Sequence, residues 1–270
     1  MLCRYGDSNW KQLAKLYPSE PGFLPRVSRY GEDSAYELGL QPIEAVDRVD
    51  VLDWNDLEEA ITKSREDEMQ PIFHQYDSWC PPGRRYNQDG EPYCWAFSAT
   101  ATMMDLRAME GKNAIDLAPV TLGWLVNWKS KGYYLDATIN GLRSRGVAPA
   151  SYVGGDINSV NRNHVNYQDG WEEEALKYRL DEVWDIDTRS GDKHSIAQAA
   201  TVLCAGRPIY LAYSWWSHAL MCTGMRWDES KKNNVVFQIR NSHNEDNIIE
   251  LDGDRGVPDE MYAFVSSVLV

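Results

Sequence analysis

The spacing of apolar residues changes along the chain. In residues 54–69, WNDLEEAITKSREDEM, positions Leu57, Ala60 and Ile61 fall on one stripe. That three-to-four spacing predicts a helix, with Asn55 or Asp56 as its cap and Pro71 beyond its end. A stronger helix is predicted from Cys94 to Glu110, where Phe97, Ala101, Met104 and Ala108 share a face and Gly111 stands at the C-terminal cap. Further helices are expected over 119–130, 134–145, 172–180 and 194–205. The last third reads differently. Ile209–Tyr213, His218–Thr223, Val235–Arg240 and Tyr262–Val265 are short apolar runs separated by turn-like residues, with Ser214–Ser217 read as a polar turn. Helices first and antiparallel strands later make an α+β order.

Residues 1–50 break this regularity with Tyr17-Pro18 and Glu20-Pro21-Gly22, so an irregular arm with one or two short helices is expected. Pro81 to Pro92 reads as a loop. The chain therefore divides into an N-terminal arm, 1–74, and a main domain, 75–270. The arm lies over the domain either as a removable cover or as an integral part, and the lack of a clear cleavage segment favours the second.

Composition narrows the class. The formal net charge is -14 and no Lys/Arg-rich run occurs, which argues against a nucleic-acid partner. The first 20 residues contain Asp7, Lys11 and Lys15 and no apolar signal core, and no stretch reaches the length of a membrane span. A cytoplasmic location without a membrane partner is the expectation. The five cysteines, Cys3, Cys80, Cys94, Cys204 and Cys222, form no CxxC pair and no zinc spacing, so no metal is expected. Cys204 and Cys222 read as small buried hydrophobes. The 11 Trp and 15 Tyr, against 5 Phe, suit half-buried positions and groove walls.

One constellation carries chemistry. Cys94 sits where a loop meets a long helix, and the free N–H groups and positive dipole end there favour a thiolate. Gln88, six residues upstream, can turn its amide toward the atom Cys94 attacks and form an oxyanion hole with the Cys94 N–H. His218 opens a strand and can act as base. Asn241 closes the next strand, where its side-chain oxygen can accept the imidazole N–H and fix the tautomer.

Asn87-Gln88-Asp89-Gly90 followed by Cys94-Trp95-Ala96-Phe97-Ser98 resembles the active-site segment of papain and the cathepsins. Ser217-His218-Ala219 with Gly224 resembles the family's histidine strand, and Arg240-Asn241-Ser242 its asparagine turn. The order Gln, Cys, His, Asn is kept. The separations are 218 − 94 = 124 and 241 − 94 = 147 residues, against about 130–150 in the family. Gly132-Tyr133 resembles one wall of the substrate groove, and Gly206-Arg207-Pro208-Ile209 the turn before the histidine strand. The resemblance covers residues 75–270 and implies a two-lobed papain-like fold, an endopeptidase-like hydrolysis of peptide bonds without a cofactor, and a peptide or protein as substrate.

This sequence also departs from the family. Glu91-Pro92-Tyr93 replaces the usual Cys-Gly-Ser, so Tyr93 is expected to narrow the cleft beside Gly132 and Tyr133. His243 and Asn244 stand where the family has Trp and Gly, so the bond between His218 and Asn241 is expected to be poorly shielded from water. Two other classes fit these residues. One is a non-catalytic structural or binding protein on the same fold, held by structural partners in a larger assembly such as a virus particle. The other is a different Cys–His acyl-transfer enzyme, such as a cell-wall peptidase or a transglutaminase.

Overall fold

The computed structural model describes residues 3–16, 23–24, 43–46, 50–71, 86–88, 91–126, 132–154, 165–189, 191–243 and 248–268. Its helices are α1 (Trp10–Leu16), α2 (Leu57–Glu66), α3 (Cys94–Met109), α4 (Pro119–Leu125), α5 (Leu135–Ser144), α6 (Trp171–Ala175) and α7 (Asp192–Cys204). Its strands are β1 (Cys3–Tyr5), β2 (Phe23–Leu24), β3 (Glu44–Ala45), β4 (Tyr133–Tyr134), β5 (Val153–Gly154), β6 (Asn166–Tyr167), β7 (Leu180–Ile186), β8 (Ile209–Tyr213), β9 (His218–Trp227), β10 (Val235–Arg240), β11 (Ile248–Asp252) and β12 (Glu260–Ser267).

Eight strands form one sheet in the order β1-β11-β10-β9-β8-β12-β7-β3, antiparallel except for the parallel pairs β1·β11 and β3·β7 at its two edges. Alternate residues of the central strands feed different cores, as the strand pleat requires. Tyr210, Ala212, Ala219 and Met221 face α3, while Ile209, Leu211, Leu220 and Cys222 join α2 and α7 on the other face. With both faces covered, the strands read as continuous apolar runs, as their sequence does.

Helix α3 is buried from Cys94 through Arg107, so it is a core helix and not an amphipathic surface one. It packs on β8, β9 and β12 and carries α4 and α5 on its other side. It stops at Gly111, whose φ of +69° suits the left-handed end of a helix. Helix α2 begins after a short 3-10 turn over Trp54–Asp56, and Asp53, not Asn55 or Asp56, caps that turn by accepting from the Asn55 N–H. Helix α6 stops at Ala175, and the chain then enters β7, where the sequence pattern had suggested a helix through residue 180.

The N-terminal residues are stitched into this framework. Strand β1 extends one edge of the sheet and β3 the other. Arg4 Nε lies 3.0 Å from the buried carboxylate of Glu250, which also receives both ends of the Arg226 guanidinium at 2.8 Å. Strand β2 pairs in parallel with β4, Phe23 opposite Tyr133 and Leu24 opposite Tyr134.

Candidate active site

Cys94 is the first residue of α3, and its side chain is fully buried. The helix is set in place by its neighbours. Tyr210 of β8 donates to the Trp95 carbonyl at 3.1 Å, and the Trp95 ring lies 4.8 Å from that of Tyr133. The Ala219 N–H of β9 donates to Cys94 Sγ at 3.3 Å, which ties the thiol to the residue after His218.

His218 opens β9 opposite Tyr213. The intervening turn places Ser217 at φ +52°, a left-handed conformation that a non-glycine residue adopts at some cost. Asn241 Oδ1 lies 2.7 Å from His218 Nε2 and accepts the Ser242 N–H at 2.8 Å. An amide oxygen only accepts, so Nε2 carries the proton and Nδ1 of the neutral ring is left as the basic atom. That Nδ1 is buried and has no hydrogen-bond partner.

Gln88 is buried beside the same turn. Its backbone N–H donates to Ser242 O at 2.8 Å, its Oε1 accepts from the Ser242 hydroxyl at 2.5 Å, and its Nε2 donates to Glu91 O at 2.7 Å. A carboxamide has two N–H donors, and among the described residues one of them is taken. Asn87 and His243 form an antiparallel bridge that holds this loop against the end of β10. Gln88, His218, Asn241 and Cys94 are thus joined through Ser242 and Ala219.

Burial decides the charge state of the pair. Loss of water pushes the Cys94 thiol up to about 12, against the pull of the Ala219, Trp95 and Cys94 N–H groups. It pushes His218 down to about 3, assisted by His243 and opposed by the Asn241 bond. The sequence predicted a thiolate at the helix N-terminus. In this closed form desolvation outweighs the dipole and favours the neutral pair.

The groove residues expected from sequence fall in two places. Gly132 is buried, and the half-buried Tyr133 belongs to β4, whose edge carries β2. Tyr93 does not narrow a cleft. Its ring is 1% exposed, packed edge-on against Trp95 and Phe97, and its hydroxyl reaches the Pro119 and Val120 carbonyls at 3.2 Å. Its bulk is absorbed inside the helical lobe because Gly123 leaves room for it; a Cβ there would stand 1.6 Å from the Tyr93 hydroxyl.

Two residues escaped the sequence reading. Ser242 clamps Gln88, and its signal was only its place beside Asn241. Trp216 is 4% exposed with its ring 4.8 Å from that of His218. The segment read as a polar turn, Ser214–Ser217, contains both Trp215 and Trp216. The expectation of a poorly shielded histidine is therefore corrected: Trp216 lies at one side of the imidazole, and His243 has its ring 5.3 Å away. Among the described residues no group of His, Cys, Asp and Glu could hold a metal ion, and no helix is long and apolar enough to cross a membrane.

No protein-family model and no curated protein sequence matches the chain. Solved structures do. Xylellain, a cysteine protease from Xylella fastidiosa, is 16% identical with a TM-score of 0.52, covering 70% of this chain and 84% of its own. The cysteine protease Cwp84 of Clostridium difficile, after propeptide cleavage, is 15% identical with a TM-score of 0.55, covering 72% and 56%. Digestive procathepsin L 3 of the Tenebrio molitor larval midgut is 14% identical with a TM-score of 0.54, covering 97% and 79%. The helix-led lobe, the largely antiparallel sheet and these likenesses together give the chain the α+β fold of the papain-like cysteine proteases.

Proposed function

We propose that the chain is a cysteine peptidase that cleaves peptide or protein substrates through Cys94, His218, Asn241 and Gln88. One observation carries the reading. The Asn241 bond leaves Nδ1 of His218 bare, on the residue whose neighbour donates its N–H to Cys94 Sγ. The Cys94 proton passes to Nδ1, and the sulfur attacks the substrate carbonyl carbon. The second N–H of Gln88 and the Cys94 N–H, which has no partner within the first turn of α3, receive the oxyanion. His218 then returns the proton to the leaving amine, and a water activated by the same ring releases the acyl group.

The closed form is a resting state on this reading. Cys94 and His218 are buried, and the edge of β4 on which an extended peptide would pair is taken by β2. Substrate must displace Phe23–Leu24, and hydration then brings the two pKa values toward each other. The neutral, buried pair also suits a non-catalytic protein on this fold, and one experiment separates the two. A peptidyl epoxide is added at neutral pH and the adducts are located by mass spectrometry. The expected result is one equivalent on Cys94, lost in His218→Ala. Labelling of Cys94 no faster than that of Cys222, or unaffected by His218→Ala, overturns the proposal.

A further inference from the structure

Four rings stand in a row from the N-terminal helix to His218. Trp10 of α1 meets Trp215 edge-on, with centroids 5.1 Å apart at 67°. Trp215 stacks on Trp216 at 5.6 Å and 14°, and Trp216 lies 4.8 Å from His218 at 55°. The far end is fixed. The Arg255 guanidinium lies 4.7 Å from the Trp10 ring, and Trp215 Nε1 donates to the Arg255 carbonyl at 3.2 Å. Asp7, just before α1, accepts the Arg255 and Asp254 N–H groups at 2.9 and 3.2 Å. This contact is close: a Cβ on Gly253 would stand 2.4 Å from the Asp7 carboxylate.

We propose that Trp216 is a positioning residue for His218, and that α1 supports it through Trp10 and Trp215. The inference rests on the reading of His218 as the base. The imidazole is held by one hydrogen bond, through Nε2. One bond fixes a direction but leaves the ring free to swing about it, whereas a flat ring packed alongside limits the swing and excludes water. A simple space-filling role for Trp216 would not require the row to continue through two more tryptophans to a pinned helix. It follows that the start of the arm belongs to the working site, whatever becomes of the β2 segment that lies on β4.

Among the described residues, few groups face the ring. His243 faces it from the turn after β10, and Cys94 approaches from α3 beside the Ala219 N–H. Asp259 accepts the Ser214 N–H at 2.7 Å at the start of the Trp turn. With these unchanged, loss of Trp216 lets water reach the imidazole, and its titration moves up toward the ordinary histidine range.

The experiment uses the full chain with Trp216→Ala, Trp216→Phe and Trp10→Ala, and two readouts. His218 is titrated by NMR with labelled histidine, and Cys94 alkylation by iodoacetamide is followed against pH. Trp216→Ala is expected to raise the His218 midpoint toward the ordinary histidine range, and the pH profile of Cys94 alkylation should shift with it. Trp216→Phe should retain the wild-type midpoint, and Trp10→Ala should shift it partway. An unchanged midpoint and alkylation profile in Trp216→Ala overturns the proposal. If that variant does not fold, a midpoint unchanged in Trp10→Ala does so. The titration needs no turnover. A wild type that neither labels nor cleaves therefore removes the peptidase reading while the midpoints still decide the role of Trp216.

Discussion

Gly123→Ala is the sharpest probe of how the chain accommodates a tyrosine directly before Cys94. Helix α4 packs against the Tyr93 ring, and a Cβ at position 123 would stand 1.6 Å from the hydroxyl, 2.5 Å from Cζ and 2.7 Å from Cε2. The ring has nowhere to go, lodged between Trp95 and Phe97 with its hydroxyl on the Pro119 and Val120 carbonyls. Overpacking of this kind costs about 1–3 kcal/mol, and loss of the hydroxyl bond adds about 0.5–1.5 kcal/mol. Alanine's better helix propensity offsets about 1 kcal/mol. The net is a destabilisation of about 2 kcal/mol, or a fall in Tm of roughly 4–8 °C for a chain of this size. The assay is thermal and urea unfolding of the single variants and of the double variant with Tyr93→Ala. In the Tyr93→Ala background, which itself loses about 3–5 kcal/mol, Gly123→Ala should become neutral or stabilising. An unchanged or raised Tm in Gly123→Ala, or the same loss in both backgrounds, would refute the packing argument.

Gln88→Ala should lower peptidase turnover by about 10²–10³-fold, the usual effect of losing one oxyanion donor, and should also destabilise the fold, because the Ser242 hydroxyl and Glu91 carbonyl lose their partner. A drop in Tm with turnover intact would make Gln88 structural. Burial raises the Asp105 carboxyl to about 7 against the pull of Arg240, so its stabilising neutral form is progressively lost as pH rises from 3.8 through 7. His218 has the opposite sign: its folded value of about 3 lies below the ordinary 6.5, so its contribution is present above 6.5 and lost as pH falls toward 3. The two trends oppose each other between pH 4 and 6.5. Asp105→Asn should therefore expose the histidine limb, with stability falling toward acid at up to about 1.4 kcal/mol per pH unit. Urea midpoints at pH 4.5, 5.5 and 6.5 check this, and parallel curves for variant and wild type would contradict it.

The parts legible in the sequence are those with a strong local signal. The α3 helix was visible in its cap and apolar spacing, β8 in its unbroken apolar run and β10 in a short apolar run interrupted by Gln238. Strand β7 was missed because its buried residues, Leu180, Val183 and Ile186, recur every third position. The pairing with β12 shifts register around Phe264 and Ser266, which breaks the alternation that marks a strand. Strands β1, β2 and β3 have three residues or fewer and carry no period of their own; only the partners β11, β4 and β7 define them. At the site, residue types and order pointed to Cys94, His218, Asn241 and Gln88. The charge state of the pair depends on burial, which no local pattern encodes, and the Trp216 contact depends on a turn with Ser217 in the left-handed region.

The most direct measurement is of new peptide termini. Wild type and Cys94→Ala, both shown to be folded, are incubated with an unfolded protein substrate at neutral and mildly acidic pH, and new N-termini are counted by mass spectrometry. Termini that accumulate with wild type and are absent with Cys94→Ala are the expected result. No termini from folded wild type, or equal numbers from both proteins, would contradict the assignment of Cys94 as the nucleophile of a peptidase.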